Sequence, residues 1–260
     1  MLTTIASYRM IIDDLPRALD TTAQKSAVAR ETAYYMANIG KVASIDDFIG
    51  DDRLFAYAMQ AFGLREMTYA KAFMRKVLTE GVDDPQSFAN RLADLRYREF
   101  VETFNFARYG TATTSFTRAQ KGVVDKYVRQ ILEEDAGRQN EGVRLALYFQ
   151  RKAAGLSSVY EILADRALLR VVQTALGLSP AMAAVDIDRQ ADFIARRLDI
   201  NDLKQPAKLH KFIDRFLSLW ELANSSTQQW SGGLLLGRSV EAGFGPELLA
   251  SLQNLKLGRF

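Results

Sequence analysis

The segment Asp51-Asp-Arg-Leu-Phe-Ala-Tyr-Ala-Met-Gln-Ala-Phe-Gly63-Leu64 returns 114 residues later as Asp165-Arg-Ala-Leu-Leu-Arg-Val-Val-Gln-Thr-Ala-Leu-Gly177-Leu178. Asp51/Asp165, Leu54/Leu168, Ala61/Ala175, Gly63/Gly177 and Leu64/Leu178 coincide at that offset. The likeness resumes six residues out of phase, where Phe73, Leu78, Asp94 and Phe100 map onto Phe193, Leu198, Asp214 and Trp220. In the first segment Leu54, Phe55, Ala58, Met59 and Phe62 form one helical face, as do Leu168, Leu169, Val172 and Leu176 in the second. An aspartate stands where an N-cap is needed and a glycine where a left-handed C′ residue ends a helix. Caps and apolar positions recur together, which predicts one helical unit used twice and a fold set by packing.

The remainder of the chain also reads as helical. Thr3 to Gly40 predicts two helices with a break near Pro16 or Asp20-Thr21-Thr22, and 44–51 a short apolar turn. A helix over Met67–Glu80 precedes Asp84-Pro85, a pair suited to opening the next one. Phe88, Leu92 and Leu95 continue there at i, i+4, i+7, followed by Phe100, Phe104 and Phe106. Pro206 opens a similar stretch carrying Leu209, Phe212, Ile213, Phe216 and Trp220. Between the two copies, 109–120 reads as a polar linker and Asp135-Ala-Gly137 as a break between two more helices. No stretch alternates as a strand does. The expected fold is therefore all-α: N-terminal helices (1–50), a first helical repeat (51–108), connecting helices (109–164), a second repeat (165–223), then a connector and an amphipathic C-terminal helix (224–260), together one compact domain.

Composition narrows the chemistry. The 260 residues contain no cysteine, which removes disulfides, thiolate nucleophiles and Cys-based zinc sites, and one histidine, His210, too few for a multi-His metal site. Thirty-four basic against 31 acidic residues leave a net charge of +3, with the signs interleaved. Nucleic-acid binders gather basic charge on one face, so nucleic acid is not an expected partner. The pairs Arg96/Arg98, Arg151-Lys152 and Arg196-Arg197 read as solvated helix faces. No secretory signal or membrane-length apolar run is visible, so a soluble protein is expected, cytoplasmic or exported by a route that reads no conventional signal.

Few motifs suggest catalysis. Gly232-Gly-Leu-Leu-Leu-Gly237 lacks the Gly-Lys-Ser/Thr ending of a phosphate loop. The pairs Asp51-Asp52 and Asp83-Asp84 suit capping, and Glu133-Glu134 a solvated face. Neither catalytic residues nor a cofactor or metal is expected. An enzyme or small-molecule binder would instead need a formed pocket where acids and bases converge with shifted pKa values. The best binding candidate is the stripe Leu248, Leu249, Leu252 and Leu255, an amphipathic face able to dock on a partner or on its own domain.

Four phrases carry a family resemblance: Val28-Ala-Arg-Glu-Thr-Ala-Tyr-Tyr-Met-Ala-Asn-Ile-Gly-Lys-Val42, Ala56-Tyr-Ala-Met-Gln-Ala-Phe-Gly-Leu64, Tyr69-Ala-Lys-Ala-Phe-Met-Arg-Lys-Val-Leu78 and Asn140-Glu-Gly-Val-Arg-Leu-Ala-Leu-Tyr-Phe149. From near residue 5 to near residue 225 the chain resembles a bacterial family of unknown function, recurrent in alphaproteobacteria and often encoded in flagellar gene clusters. The resemblance implies a flagellum-associated structural, assembly or regulatory protein acting through protein partners. It transfers no catalytic residue. A helical adaptor unrelated to motility is the remaining alternative.

Overall fold

Short polar side chains decide where the helices begin. Thr3, Asp14, Ser44, Asp51, Asp94, Asn105, Asn140, Asp165, Asp186 and Asp199 each accept a backbone N–H of the first helical turn. In the computed structural model, which describes residues 3–224 except 180, 181, 183 and 184 and continues as helical backbone to 234, these caps open most of the helices. In chain order they are α1 (Thr4–Ile12), α2 (Leu15–Ala23), α3 (Ser26–Asn38), α4 (Ile45–Gly50), α5 (Asp52–Ala61), α6 (Lys71–Glu80), α7 (Phe88–Arg91) and α8 (Leu95–Thr103). They continue as α9 (Phe106–Tyr109), α10 (Lys121–Gln139), α11 (Glu141–Ala153), α12 (Val159–Ala164), α13 (Arg166–Leu176), α14 (Ile187–Ala195), α15 (Ile200–Leu203) and α16 (Pro206–Leu234). The described residues contain no strand, so the fold is all-α.

Two units result, residues 1–221 and 222–260, and the leucine stripe at 248–255 lies in the second, outside the described residues. Within the first unit the apolar side chains gather into two cores. One surrounds Phe48, whose ring meets Phe55, Phe100, Phe104 and Phe106, and takes in Tyr35, Leu54, Met59 and Leu78. The other gathers Tyr8, Phe149, Leu168, Val172, Ile213, Phe216 and Trp220. Each large side chain so buried contributes about 1.5–3 kcal/mol. Helix α10 serves both: Val123, Tyr127 and Val128 belong to the first core, and Ala136 packs on the second. It packs on α2, α3, α5 and α11.

The echoed segments share local geometry. Asp51 caps α5 and Asp165 caps α13, each through one carboxylate oxygen to two backbone N–H groups. Both helices end at a glycine with positive φ, +69° at Gly63 and +65° at Gly177. The next residue closes the same turn in both: Leu64 N–H donates to Met59 O and Leu178 N–H to Gln173 O, each at 2.8 Å. Helices α4 and α12 also stand 114 residues apart at both ends. The out-of-phase continuation does not share its geometry. Asp94 caps α8, whereas Asp214, assigned as its counterpart, lies inside α16.

Several boundaries differ from the sequence reading. Three helices precede Gly40, because Asp14 caps α2 and places Pro16 in its first turn, where the missing N–H is harmless. The apolar turn at 44–51 is α4, opened by Ser44, with Phe48 and Ile49 buried. A 3₁₀ turn (Arg65–Met67) takes the place of the expected start at Met67, and α6 begins only at Lys71. Asp84-Pro85 sits in a turn ahead of α7, and the Phe88–Leu95 face is broken at Leu92 because Asp94 starts a new helix; Leu95 is left 45% exposed. The linker at 109–120 contains a 3₁₀ segment with Thr113 and Thr114 buried.

Helix α10 runs through Asp135-Ala-Gly137. There the glycine serves close approach: a Cβ on Gly137 would meet Arg144 Cδ of α11 at 2.7 Å. The connector expected at 224–233 is helical backbone in α16, as no proline or glycine interrupts residues 207–231.

A charged cleft as the candidate functional site

The two cores meet at a layer of charge. Glu133 of α10, 2% exposed, accepts from Arg129 Nε at 2.9 Å and from Arg151 Nε and Nη2 at 2.8 Å each. Arg129 also donates to the Leu147 carbonyl and Gln150. Glu133 is thus buried and its partner Arg151 half-buried, where solvated faces were expected. The sequence pattern misled because α10 has neighbours around most of its circumference, so its polar positions are covered as well as its apolar ones.

Beside this layer opens a cleft of about 1240 Å³, walled by Gly63–Glu66 and Ala93–Glu102 from one core and by residues of 137–168 from the other. A packed interior without an equipped centre was the sequence expectation. The cleft departs from it, because long charged side chains meet here and cannot fill space as the aromatic residues do. Arg96 crosses one wall. Its guanidinium binds both oxygens of Asp94 at 2.7–3.0 Å and donates to the Gly63 carbonyl, tying the end of α5 to the start of α8. Burial works against charge on both partners, yet their mutual attraction wins: Asp94 titrates below and Arg96 above its ordinary value.

Glu99 joins the walls. It pairs with Lys126 and, at 2.7 Å, with Lys152, so one carboxylate links α8 to α10 and α11. Burial alone would raise its pKa; the two ammonium groups overcome that and hold it at about 2. Opposite, the Tyr148 hydroxyl donates to Asp165 Oδ2 at 2.5 Å. Burial, then the Asp165 charge, pushes the phenol well above its ordinary range. Each of these shifts moves a group away from neutral pH, whereas a general acid or base works best with a pKa near the operating pH.

Other sequence candidates lie apart. His210 is exposed, Asp51 and Asp52 sit at the start of α5, and Asp84 accepts from the Gln86 N–H at 2.8 Å. Arg196 and Arg197 are exposed, as expected. No group of three or more acidic or histidine residues is placed to hold a metal ion among the described residues. Nor does any helix there have the length and apolar character to cross a membrane. Arg96, read in the sequence as part of a solvated face, is half-buried in the cleft wall, and Glu99 and Tyr148 escaped the sequence reading. Only Tyr148 left a trace: Tyr34/Tyr148 extends the 114-residue offset upstream, each 17 residues before its aspartate.

No curated protein matches this chain. The crystal structure of protein AGR_C_984 from Agrobacterium tumefaciens, an alphaproteobacterium, is similar to it: 48% identical, with a TM-score of 0.80, over 85% of this chain and 94% of that one. The family described as "Protein of unknown function (DUF1217)" matches residues 61–209, which includes both walls of the cleft, and the chain belongs to that family.

Proposed function

We propose that this chain is a flagellum-associated protein that serves structure, assembly or regulation by binding other proteins and catalyses no reaction. One observation carries the binding half of this reading: every carboxylate lining the cleft is already engaged by a side chain or backbone group of the protein itself. A carboxylate so held is poor as a base or nucleophile, while a rigid charged surface suits recognition. The flagellar half rests on the family resemblance of the four phrases. A deletion strain tests it: loss of swimming or of filaments is expected, and normal motility with normal flagella rejects it. We read the shared caps, turns and Tyr–Asp spacing of 34–64 and 148–178 as one helical unit used twice.

The cleft favours a second reading, a small-molecule binder or an enzyme. Thermal shift against pooled metabolites tests it, and a stabilising hit that competes with no protein partner would favour it over the first. Partner capture with and without 245–260 tests the leucine stripe; unchanged partners on truncation would place binding elsewhere.

A further inference from the structure

Eight basic and eight acidic side chains line the cleft, so its walls carry no net charge. Their hydrogen bonding is less even. Asp94 and Glu66 face Arg96, Glu99 holds two lysines, Glu102 holds Arg98 and Glu141 holds Arg144. Glu134 accepts from the Gln60 and Gln130 amides, Glu161 from Ser157, and Asp165 from Tyr148 and two backbone N–H groups. Six of the bases are paired likewise, Arg138 with Asp135 and Arg151 with Glu133 among them. Arg65 and Arg166 are not. Both are exposed, and neither donates a hydrogen bond or joins an ion pair among the described residues. What the cleft leaves unspent is two guanidinium forks, one on each wall.

We propose that the cleft binds an acidic segment of a protein partner, whose carboxylates are taken by Arg65 and Arg166. This rests on the protein-binding reading above and names the partner's chemistry. The guanidinium fork matches a carboxylate with two parallel bonds. Small-molecule pockets run to roughly 300–1,000 Å³ and are mostly apolar, whereas this cleft is larger and sixteen charged side chains stand among its lining residues. Closely spaced phosphates fit badly, because Glu66, Glu102 and Glu141 stand exposed on the same walls and would repel them. Separate carboxylates on a peptide of mixed charge avoid that repulsion.

Selection of displayed random peptides on the full chain tests the proposal, with binding of the enriched peptide then measured by fluorescence anisotropy. Enriched peptides are expected to be acidic, and R65Q/R166Q to weaken them by about tenfold or more. Replacing the peptide's own Asp and Glu by Asn and Gln should weaken it equally, a measurement that needs no variant protein to fold. Failure to enrich peptides, enrichment without acidity, or affinity unmoved by either change overturns the proposal. So does heparin or single-stranded DNA binding the cleft with the same dependence on Arg65 and Arg166. A deletion strain complemented with R65Q/R166Q separates the two readings. Full rescue of a real motility defect sinks the cleft and spares the flagellar role. A deletion without any defect sinks that role and leaves the peptide measurement to decide the cleft.

Discussion

The Tyr148 hydroxyl donates to Asp165 Oδ2 at 2.5 Å, and Tyr34 makes the same bond to Asp51 Oδ2 at 2.8 Å. In both pairs the other carboxylate oxygen caps a helix, so one aspartate fixes the start of α5 or α13 and ties α3 or α11, two helices earlier, to it. The settings differ. Both rings are half-buried, but burial is the largest cause of the upward shift of the Tyr148 phenol, whereas at Tyr34 the bond to Asp51 is. Tyr34 also lies beneath the Arg53 guanidinium, 4.0 Å from its ring centroid.

Tyr148→Phe should therefore cost about 1.5–3 kcal/mol, the range for a hydrogen bond to a charged acceptor. Tyr34→Phe should cost less, because its hydroxyl is less desolvated than that of Tyr148 and water more readily replaces the lost bond. Urea unfolding of both variants checks the order, and an equal or inverted pair of values would show that burial does not govern it.

Glu133 gives a second prediction. It is enclosed between Arg129 and Arg151, so Glu133→Ala leaves two cations in a layer between apolar cores. The expected loss is about 3–5 kcal/mol, typical of breaking a buried pair from one side. Replacing all three residues by apolar ones of similar volume should restore most of that stability. Denaturant midpoints of the single and triple variants measure the difference, and a triple variant no better than the single one would contradict it.

Acid sensitivity follows from Glu99. Its pKa falls from the ordinary 4.5 to about 2 in the folded chain, so the folded state holds its proton less tightly than the unfolded state does. Its contribution to stability is complete above the unfolded value and is lost as the pH falls from about 4.5 to about 2. With allowance for partial exposure it amounts to roughly 2 kcal/mol. Glu99→Gln should then flatten the stability curve across that window, which equilibrium unfolding at stepped pH reads directly. A curve of unchanged slope would remove Glu99 from the acid response.

How much of this was legible beforehand depends on range. The all-α class, the caps at Asp51 and Asp165 and the left-handed glycines at 63 and 177 are local matters, decided by residues within a turn of one another. The start of α8 could have been read from Asp94, but the apolar spacing of Phe88, Leu92 and Leu95 pointed the other way, and capping won. The cleft is different. Glu99 meets Lys152 across 53 residues, and Arg129 looked like any solvated arginine on a helix. A charged residue in sequence carries no mark of whether another helix will cover it.

Gly142 shows the same limit at its sharpest. It sits in the first turn of α11 and looks like an ordinary weak helix residue, yet Trp220 of α16 lies against its Cα: an added Cβ would meet the indole nitrogen at 2.6 Å. The indole is rigid, packed on Phe216 on one side, and has Arg170 4.9 Å from its ring centroid. Being buried, it cannot swing away without disturbing the second core. Gly142→Ala should gain a little helix propensity, under about 1 kcal/mol, and lose about 1–3 kcal/mol to overpacking. A net loss of stability is expected, together with altered fluorescence from Trp220 as its ring is displaced. Trp230→Phe in both backgrounds isolates that signal. A variant as stable as the parent with an unchanged spectrum would mean that α11 and α16 can separate at no cost, and that the second core is looser at this end than its packing implies.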